Sequence, residues 1–293
     1  MGLASRRLPD SLDTSLMRDS RTANFKEFEA RGWTAQAKTY GELSGQITSR
    51  FAEALLDAAG VRHGDRVLDV ATGPGYVAER AEARGAVPVG VDLAEGMVAE
   101  ARRNHPELEF MVADAEKLPL EDSRFDAVVG NFVINHLPHP EHGVAEAVRV
   151  LTAGGHVAFS AWQRPDRMLI MGLIGEAIEA AGVEEDERAA GIPPGPDGYR
   201  FADEAEFRGL LEGAGLVEVA VEPVELVQRI ADAAELWRGF LGGSVRGSTF
   251  LRAQPDAVQA RIREALDTVV EPYRAGDVLA VPVAANVASG RKK

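Results

Sequence analysis

An alternation of short apolar runs with helical patterns between residues 66 and 161 constrains the fold of this chain more than any other feature. The runs are RVLDV, VPVGVD, EFMVAD, AVVGNF and HVAFSAW, and segments with helical periodicity follow most of them. Strands joined through crossover helices form parallel sheets with right-handed connections. Because the runs are apolar throughout, helices are expected on both faces of the sheet. The pattern predicts an α/β fold with a doubly wound sheet.

The segments outside this alternation predict a helical cap. Residues 1–60 carry helical patterns and form a predicted lid segment, and residues 165–200 begin with the amphipathic helix MLIMGLIGEAIEAAG. Residues 231–274 are mostly helical in pattern, whereas LVEVAVEPV and the final VLAVPVAANVASG have the pattern of strands. We therefore predict one core, residues 61–230 and 275–293, with three helical segments inserted around it.

Composition excludes several classes of function. The chain has no cysteine, which excludes disulfides, thiolate–zinc sites and cysteine nucleophiles. Its formal net charge is −14, whereas nucleic acids and anionic membranes are bound through basic patches. We expect a small-molecule substrate and neither nucleic acid nor membrane as a partner, and a homodimer is compatible with the sequence.

No segment of the sequence has the pattern of a secretory signal or a membrane span. MGLASRRLPDSLD lacks the apolar stretch of a signal peptide, and VLAVPVAANVA is short and interrupted by Pro282. We therefore expect a cytoplasmic protein.

A glycine-rich turn follows the first predicted strand, in VLDVATGPGYVAE. The strand ends near Asp69, the turn contains Gly73 and Gly75, and a helix is expected to begin at Tyr76. Glycines let the backbone approach a ligand, and a helix N-terminus offers free N–H groups to a carboxylate or phosphate. The turn alone does not identify the ligand, because it also satisfies a relaxed dinucleotide-binding pattern.

Carboxylates at the ends of the next two strands narrow the choice of ligand. Asp92 ends VGVD, where a carboxylate can accept both hydroxyls of a ribose, and Asp114 ends VAD, beside the expected position of an adenine. Asp69, just before the glycines, would repel a phosphate but attract a cationic amino group. Simpler roles stay open, with Asp92 as a strand-end cap and Asp114 as a turn residue.

Four motifs, in this order and spacing, resemble the class I S-adenosylmethionine-dependent methyltransferases. They are VLDVATGPG, VGVDLAEGM, VADAEKLPL with FDAVVGNFVINHLP, and RVLTAGGHVAFS, and together they span about a third of the chain. The chain is most similar to the branch that includes ubiquinone and menaquinone C-methyltransferases and natural-product tailoring enzymes. The resemblance implies a seven-stranded, mostly parallel, Rossmann-like sheet and S-adenosylmethionine as methyl donor. Ala71 stands where the family more often has glycine, and alanine fits there if its φ is negative.

The resemblance also implies which residues contact the cofactor. The methionine end would be held around the glycine turn, by Asp69, Ala71, Thr72, Gly73 and Gly75. The adenosine end would be held after the second and third strands, by Asp92, Leu93, Met97, Asp114 and Ala115. The methionine portion or the substrate would face residues after the fourth strand, namely Asn131, Phe132 and His136.

Two residues are candidates for the transfer step. WTAQAKTYGE resembles the family's lid, in which a tyrosine closes over the sulfonium, and this role falls to Tyr40. A cation over an aromatic face gives an independent reason for it, although Tyr40 and Trp33 could equally be packing residues of a helix. His136 follows the fourth strand, over the crevice of a doubly wound sheet, where it could take a proton, orient the substrate or bond the backbone.

The spacing of His136, His139 and His142 in NHLPHPEH suggests a metal site. Pro138 and Pro140 prevent the regular helix that would aim the first two rings at one ion. No zinc-protease motif is present. We therefore predict no metal site.

The cap segments combine apolar and cationic side chains. They are Met168, Met171, Trp237, Phe240, Phe250, Arg164, Arg167, Arg238 and Arg246. Such walls suit a medium-sized, partly hydrophobic metabolite, with a carboxylate or phenolate as one option, but each side chain could instead only hold the cap together. NFVI stands where amino-methyltransferases of DNA carry an Asn/Asp-Pro-Pro-aromatic motif, which disfavours nucleobase methylation.

These observations favour O- or N-methylation of a small, partly hydrophobic metabolite in bacterial secondary metabolism. One alternative is C-methylation of a quinone-, prenyl- or polyketide-like substrate, and another is a non-methylating cyclase or regulator that binds the same cofactor. A nicotinamide oxidoreductase is a third, although no tyrosine here is followed four residues later by lysine, as short-chain dehydrogenases require.

Overall fold

Eight strands form one mixed sheet in the computed structural model, which describes residues 10–293 and the side chains from residue 21 onward. In chain order they are β1 (Arg66–Val70), β2 (Val87–Asp92), β3 (Glu109–Val112), β4 (Phe125–Gly130), β5 (Leu151–Trp162), β6 (Val217–Ile230), β7 (Arg274–Ala275) and β8 (Val278–Arg291). Their order across the sheet is β3-β2-β1-β4-β5-β8-β6, and β7 pairs with β8. The first nine residues of MGLASRRLPDSLD, the segment that lacks the pattern of a signal peptide, lie outside the described residues.

Eleven α-helices surround the sheet within the described residues. They are α1 (Asp10–Gln36), α2 (Ser44–Thr48), α3 (Ala52–Ala58), α4 (Tyr76–Ala83), α5 (Glu95–Asn104), α6 (Pro140–Val150), α7 (Leu169–Ala180), α8 (Glu204–Gly213), α9 (Ala233–Gly243), α10 (Val245–Ala253) and α11 (Asp256–Val269). None of them is long and apolar enough to cross a membrane.

The five strands β3, β2, β1, β4 and β5, which are adjacent in this order across the sheet, are parallel. Strand β8 runs antiparallel to its neighbours. The predicted α/β fold with a mostly parallel sheet is therefore confirmed, and the two-residue β7 adds an eighth strand to the seven expected. β1 lies between β2 and β4, so the strand order reverses direction there. Ligands bind at such a switch point, outside the carboxyl ends of the strands.

The continuous apolar pattern of β1 places side chains in cores on both faces of the sheet. Val67 packs in a cluster with Leu56 and Val77, whereas its neighbour Leu68 packs on the opposite face with Val128. Successive strand residues point to opposite faces, and burial of each large aliphatic side chain contributes roughly 1.5–3 kcal/mol. Burial on both faces fixes the register of β1 and the position of the turn that follows.

A second apolar core joins the cap segments to the C-terminal end of β6 and the N-terminal end of β8. These strands continue together past the predicted end of LVEVAVEPV, with Val224 opposite Ala285 and Ile230 opposite Leu279. The extension packs against α7, α9, α10 and α11. A helix that the sequence analysis did not anticipate, α8, begins after Asp203, whose Oδ1 accepts hydrogen bonds from two backbone N–H groups of the first turn. The predicted division into lid, core and cap stays a prediction.

The turn after β1 carries backbone strain at Ala71. Its φ is +56°, so the condition under which alanine fits here, a negative φ, is not met. Two backbone hydrogen bonds hold this turn. Thr72 N–H donates to the carbonyl of Val91 in the neighbouring strand β2, and Gly75 N–H donates to the carbonyl of Thr72. In the left-handed region the Cβ of an L-residue crowds the backbone at a cost of roughly 1–2 kcal/mol.

We predict that Ala71→Gly raises the free energy of unfolding by about 0.5–1 kcal/mol, because relief of the strain exceeds the entropy lost by the added glycine. Urea denaturation with an unchanged m-value measures the effect. Ala260→Gly is the matched control, since Ala260 is an exposed residue inside helix α11, where φ is negative, and it should lower the free energy of unfolding. A destabilised Ala71→Gly variant would contradict the interpretation.

Candidate active site

A cavity of about 860 Å³ lies between the carboxyl ends of the central strands and the helical cap. Eleven of the predicted site residues line it: Tyr40, Ala71, Gly73, Asp92, Leu93, Met97, Asp114, Ala115, Asn131, Phe132 and His136. Three others, Asp69, Thr72 and Gly75, lie in or beside the glycine turn but do not line the cavity. The structure thus brings most of the predicted residues to one place, at the switch point of the sheet.

Asp69 holds the glycine turn against α4. Its Oδ2 accepts hydrogen bonds from the Thr72 hydroxyl at 2.6 Å and from the Ala78 N–H at 3.2 Å. Burial raises the pKa of this carboxyl to about 7. Its Oδ1 is buried and has no hydrogen-bond partner among the described residues. Asp69 therefore has a structural role in the turn and one oxygen left over for a donor.

Asp92 lies at the end of β2 with capacity for two further donors. Its Oδ2 accepts from the Gly73 N–H at 2.9 Å, and its Oδ1 accepts from the Ala94 N–H at 2.9 Å. Burial raises the pKa of Asp92, against the opposing effect of these N–H groups and of His136. An ionised carboxylate has about four lone-pair sites, so each oxygen can accept one more hydrogen bond, as two ribose hydroxyls require.

The backbone of the turn is open toward the cavity at Gly73. A Cβ built on this residue, whose φ is +55°, would meet no atom within 4 Å. A ligand can therefore approach the backbone here without hindrance from a side chain. Together with Asp92, this open face fits the methionine and ribose parts of S-adenosylmethionine.

Asp114 is tied to the N-terminal helix by a residue that the sequence analysis missed. Lys26 of α1 lies 2.6 Å from Asp114 Oδ2 and 2.8 Å from Glu116 Oε2. The other oxygen of Asp114 accepts from the Glu116 N–H. Helix α1 therefore reaches the edge of the cavity where the adenine amino group was predicted.

His136 is held by a second missed residue of α1. Its Nδ1 lies 2.9 Å from Oε2 of Glu29, and the Trp33 indole N–H donates to the same oxygen at 2.9 Å. Glu29 is only 4% exposed. The Trp33 and His136 rings meet edge to face, with centroids 5.5 Å apart. Glu29 and Trp33 are four residues apart in a helical segment, and this spacing in the sequence already indicated that both lie on one face of α1.

Tyr40 packs on the same group of side chains. Its ring meets Trp33 edge to face at 5.8 Å, and its hydroxyl lies 3.1 Å from the Thr48 hydroxyl. Burial raises the pKa of the Tyr40 phenol to about 12, so the phenol stays neutral near pH 7. The side chain is therefore suited to contact a cation through its ring and not to accept a proton. Tyr40 and Trp33 pack together and also line the cavity.

The wall after β4 is aromatic. Phe132, with a φ of +59°, stacks on Trp162 with centroids 3.6 Å apart. The Asn131 amide donates to the Thr48 carbonyl at 2.9 Å and accepts from the Ser160 hydroxyl at 2.7 Å. Asn131 thus joins α2 to the sheet, while the stacked rings present an apolar surface to the cavity.

The cap lines the cavity with apolar and acidic side chains. Met168, Met171, Phe240, Phe250 and Arg246 line it, whereas Trp237, Arg164, Arg167 and Arg238 do not. Arg246 forms an ion pair with Glu187, which also lines the cavity. Further carboxylates at the wall are Asp166, Glu176, Glu185 and Asp197. Most of the predicted cationic groups are therefore absent from this wall, and its net charge is negative.

The three histidines do not converge. His136 contacts Glu29, whereas His139 lies 3.3 Å from the Thr22 hydroxyl and pairs with His142 at 5.1 Å between centroids. The reason is that His136 ends a 3₁₀ turn and α6 begins only at Pro140. Among the residues that the structure describes, no group of three or more metal-binding side chains is placed to hold an ion.

Residues 68–159 match the model of a family described as a methyltransferase domain. The demethylmenaquinone methyltransferase of Beutenbergia cavernae is 32% identical over 152 residues, which cover 52% of this chain and 62% of that protein. The ubiquinone biosynthesis O-methyltransferase of Alkalilimnicola ehrlichii is 31% identical over 164 residues, which cover 54% of this chain and 65% of that protein. The chain thus spans less than two thirds of the length of either relative.

The fold is also found in a solved structure from Anabaena variabilis, described as a methyltransferase from an antibiotic biosynthesis pathway. The two align with a TM-score of 0.56 at 18% identity, over 81% of this chain and 96% of that one. This likeness shows the fold alone. Residues 68–159 thus match a methyltransferase domain, and the order of the four motifs and the sheet topology agree with the resemblance to class I S-adenosylmethionine-dependent methyltransferases.

Proposed function

We propose that this protein transfers the methyl group of S-adenosylmethionine to an oxygen or nitrogen atom of a small, partly apolar molecule. One observation carries the proposal. His136, bound to a buried carboxylate, lines the same cavity as Asp92 and the open glycine turn. A proton acceptor therefore lies in the cavity that suits the cofactor, as transfer to an O–H or N–H group requires.

The cofactor would be held by residues already placed. Asp92 would accept the ribose hydroxyls, and Gly73, in the turn that Asp69 holds, would lie against the methionine portion. Tyr40 would cover the sulfonium with its ring, since an aromatic face attracts a cation. When bound, S-adenosylmethionine supplies an activated methyl group on a positively charged sulfur.

His136 would take the proton that the acceptor loses. General base catalysis contributes typically about 10²–10⁴-fold, whereas alignment of two reacting groups can contribute about 7–11 kcal/mol. Most of the acceleration would therefore come from the walls that align the acceptor, including the stacked Phe132 and Trp162. We favour oxygen or nitrogen because the proton that the base takes then lies on the atom that receives the methyl group. A carbon acceptor also loses a proton, so C-methylation stays the alternative.

The walls of the cavity also limit the substrate. Met168, Phe240 and Phe250 suit an apolar body, and the carboxylates at the cap disfavour an anionic one. Lys26 and Arg246 both line the cavity, but each is ion-paired. We therefore expect a neutral or cationic acceptor in place of the carboxylate or phenolate considered from the sequence. The net charge of −14 supports a small molecule over a nucleic acid.

We predict that S-adenosylhomocysteine raises the melting temperature of the protein and that NAD does not. Saturation at about 100 times the dissociation constant stabilises a protein by about 2.7 kcal/mol.

Asp92→Asn should weaken binding of S-adenosylhomocysteine about 10- to 100-fold, because a hydrogen bond to a charged group contributes about 1.5–3 kcal/mol. Asp57→Asn is the control, since Asp57 lies at the surface, 2.7 Å from Arg84. A shift with NAD but none with S-adenosylhomocysteine would refute the proposed function.

We predict that His136→Ala lowers turnover by about 10²–10⁴-fold with little change in the affinity for S-adenosylhomocysteine. Release of S-adenosylhomocysteine from a panel of apolar alcohols, phenols and amines measures turnover, and calorimetry measures affinity. His139→Ala, which alters an exposed histidine three residues away, is the control and should match the wild type. Equal turnover in His136→Ala and the wild type would remove His136 from the mechanism.

A further inference from the structure

We propose that Glu29 is a positioning residue that keeps the proton of the His136 imidazole on Nδ1 and leaves the Nε2 lone pair to accept a proton. The catalytic role of this hydrogen bond rests on the proposed methyl transfer. The tautomer of His136 does not, because it can be measured whether or not the protein transfers a methyl group. Glu29 lies outside the matched residues 68–159, so no family motif points to it.

The hydrogen bonds at Glu29 determine the tautomer. Oε2 receives the Trp33 indole N–H, a group that can only donate. In its ionised form the Glu29 carboxylate only accepts, so in that form the 2.9 Å contact with Nδ1 is a hydrogen bond that the imidazole donates. Which imidazole nitrogen carries the proton is set by the hydrogen bond that the ring makes. In neutral His136, Nε2 is then the basic nitrogen, and the side chain lines the cavity.

The surroundings of Glu29 hold this geometry in place. Glu29 is buried on α1, and Trp33, one turn further along, contacts both the carboxylate and the His136 ring. Tyr40 packs against the other side of the group, at 5.8 Å from Trp33. The imidazole is therefore restrained at Nδ1 and along its ring, which limits the orientations that a free side chain would sample.

The same helix also contacts the cofactor side of the cavity. Lys26, three residues before Glu29, bridges Asp114 and Glu116 at the end of β3. The packing of α1 against the sheet domain therefore supplies both the carboxylate that contacts His136 and the lysine that contacts Asp114 at the expected adenine position. A chain in which α1 is displaced would keep the family motifs but lose the orientation of His136.

The tautomer can be measured without a known substrate. In protein labelled with ¹⁵N-histidine, two-bond ¹H–¹⁵N spectra separate a protonated from an unprotonated ring nitrogen. The spectra are recorded with saturating S-adenosylhomocysteine at a pH where the rings are neutral, and His136→Gln identifies the His136 signals. We expect Nδ1 to be protonated and Nε2 unprotonated in the wild type.

Glu29→Met tests the cause, because methionine keeps an unbranched side chain but offers no carboxylate. We expect the proton to move largely to Nε2, with a loss of about 10- to 100-fold in turnover, part of the gain that a general base supplies. Glu29→Asp should recover part of that loss. Glu27→Gln is the matched control, since Glu27 is exposed on the same helix, 3.7 Å from Arg31, and it should leave spectra and turnover unchanged.

Two results would overturn the inference: a wild-type signal with the proton on Nε2, or the same signal in Glu29→Met as in the wild type. If Glu29→Met does not fold, Glu29→Gln serves instead. Its amide can donate to Nδ1 as well as accept, and the expected result is a mixture of tautomers. A protein that shows the Nδ1 tautomer but transfers no methyl group would refute the proposed function and leave the role of Glu29 intact.

Discussion

The parallel pairing of β1 between β2 and β4 is the constraint on which the site depends. It brings the ends of three strands to one edge of the sheet, so the glycine turn, Asp92 and the segment before His136 face one crevice. Asp69 and Ala71 show what this arrangement demands locally. The carboxylate of Asp69 is buried to hold the turn, and Ala71 adopts a left-handed φ that glycine would adopt at lower cost.

The cap covers the crevice and encloses a cavity whose two walls differ in chemical character. The side toward the sheet carries fixed hydrogen-bonding groups, whereas the side toward α7, α9 and α10 is apolar with acidic groups at the wall. Helix α1 joins the two sides, since Lys26 contacts the carboxylates after β3 and Glu29 contacts His136. The part of the chain that lies outside the family domain therefore decides how the proposed base is oriented.

Much of the cofactor side could be predicted from the sequence, because its residues directly follow apolar strands whose order is restricted by topology. The substrate side could not be predicted in the same way. Helical periodicity shows that a segment has an apolar face, but not which distant segment covers that face. This is why Arg246 was correctly placed at the cavity while Arg167, which pairs with Glu225 instead, was not.

The sequence by itself determined the mostly parallel sheet, the glycine turn and the carboxylates at the strand ends, because local pattern and short connections specify them. Only the tertiary structure decided that Glu29 meets His136, 107 positions away, and that Lys26 meets Asp114, 88 positions away. It also decided the sign of φ at Ala71. The physical reason is the same in each case. These features depend on how segments far apart in the chain pack and bond to one another, and no local pattern encodes that.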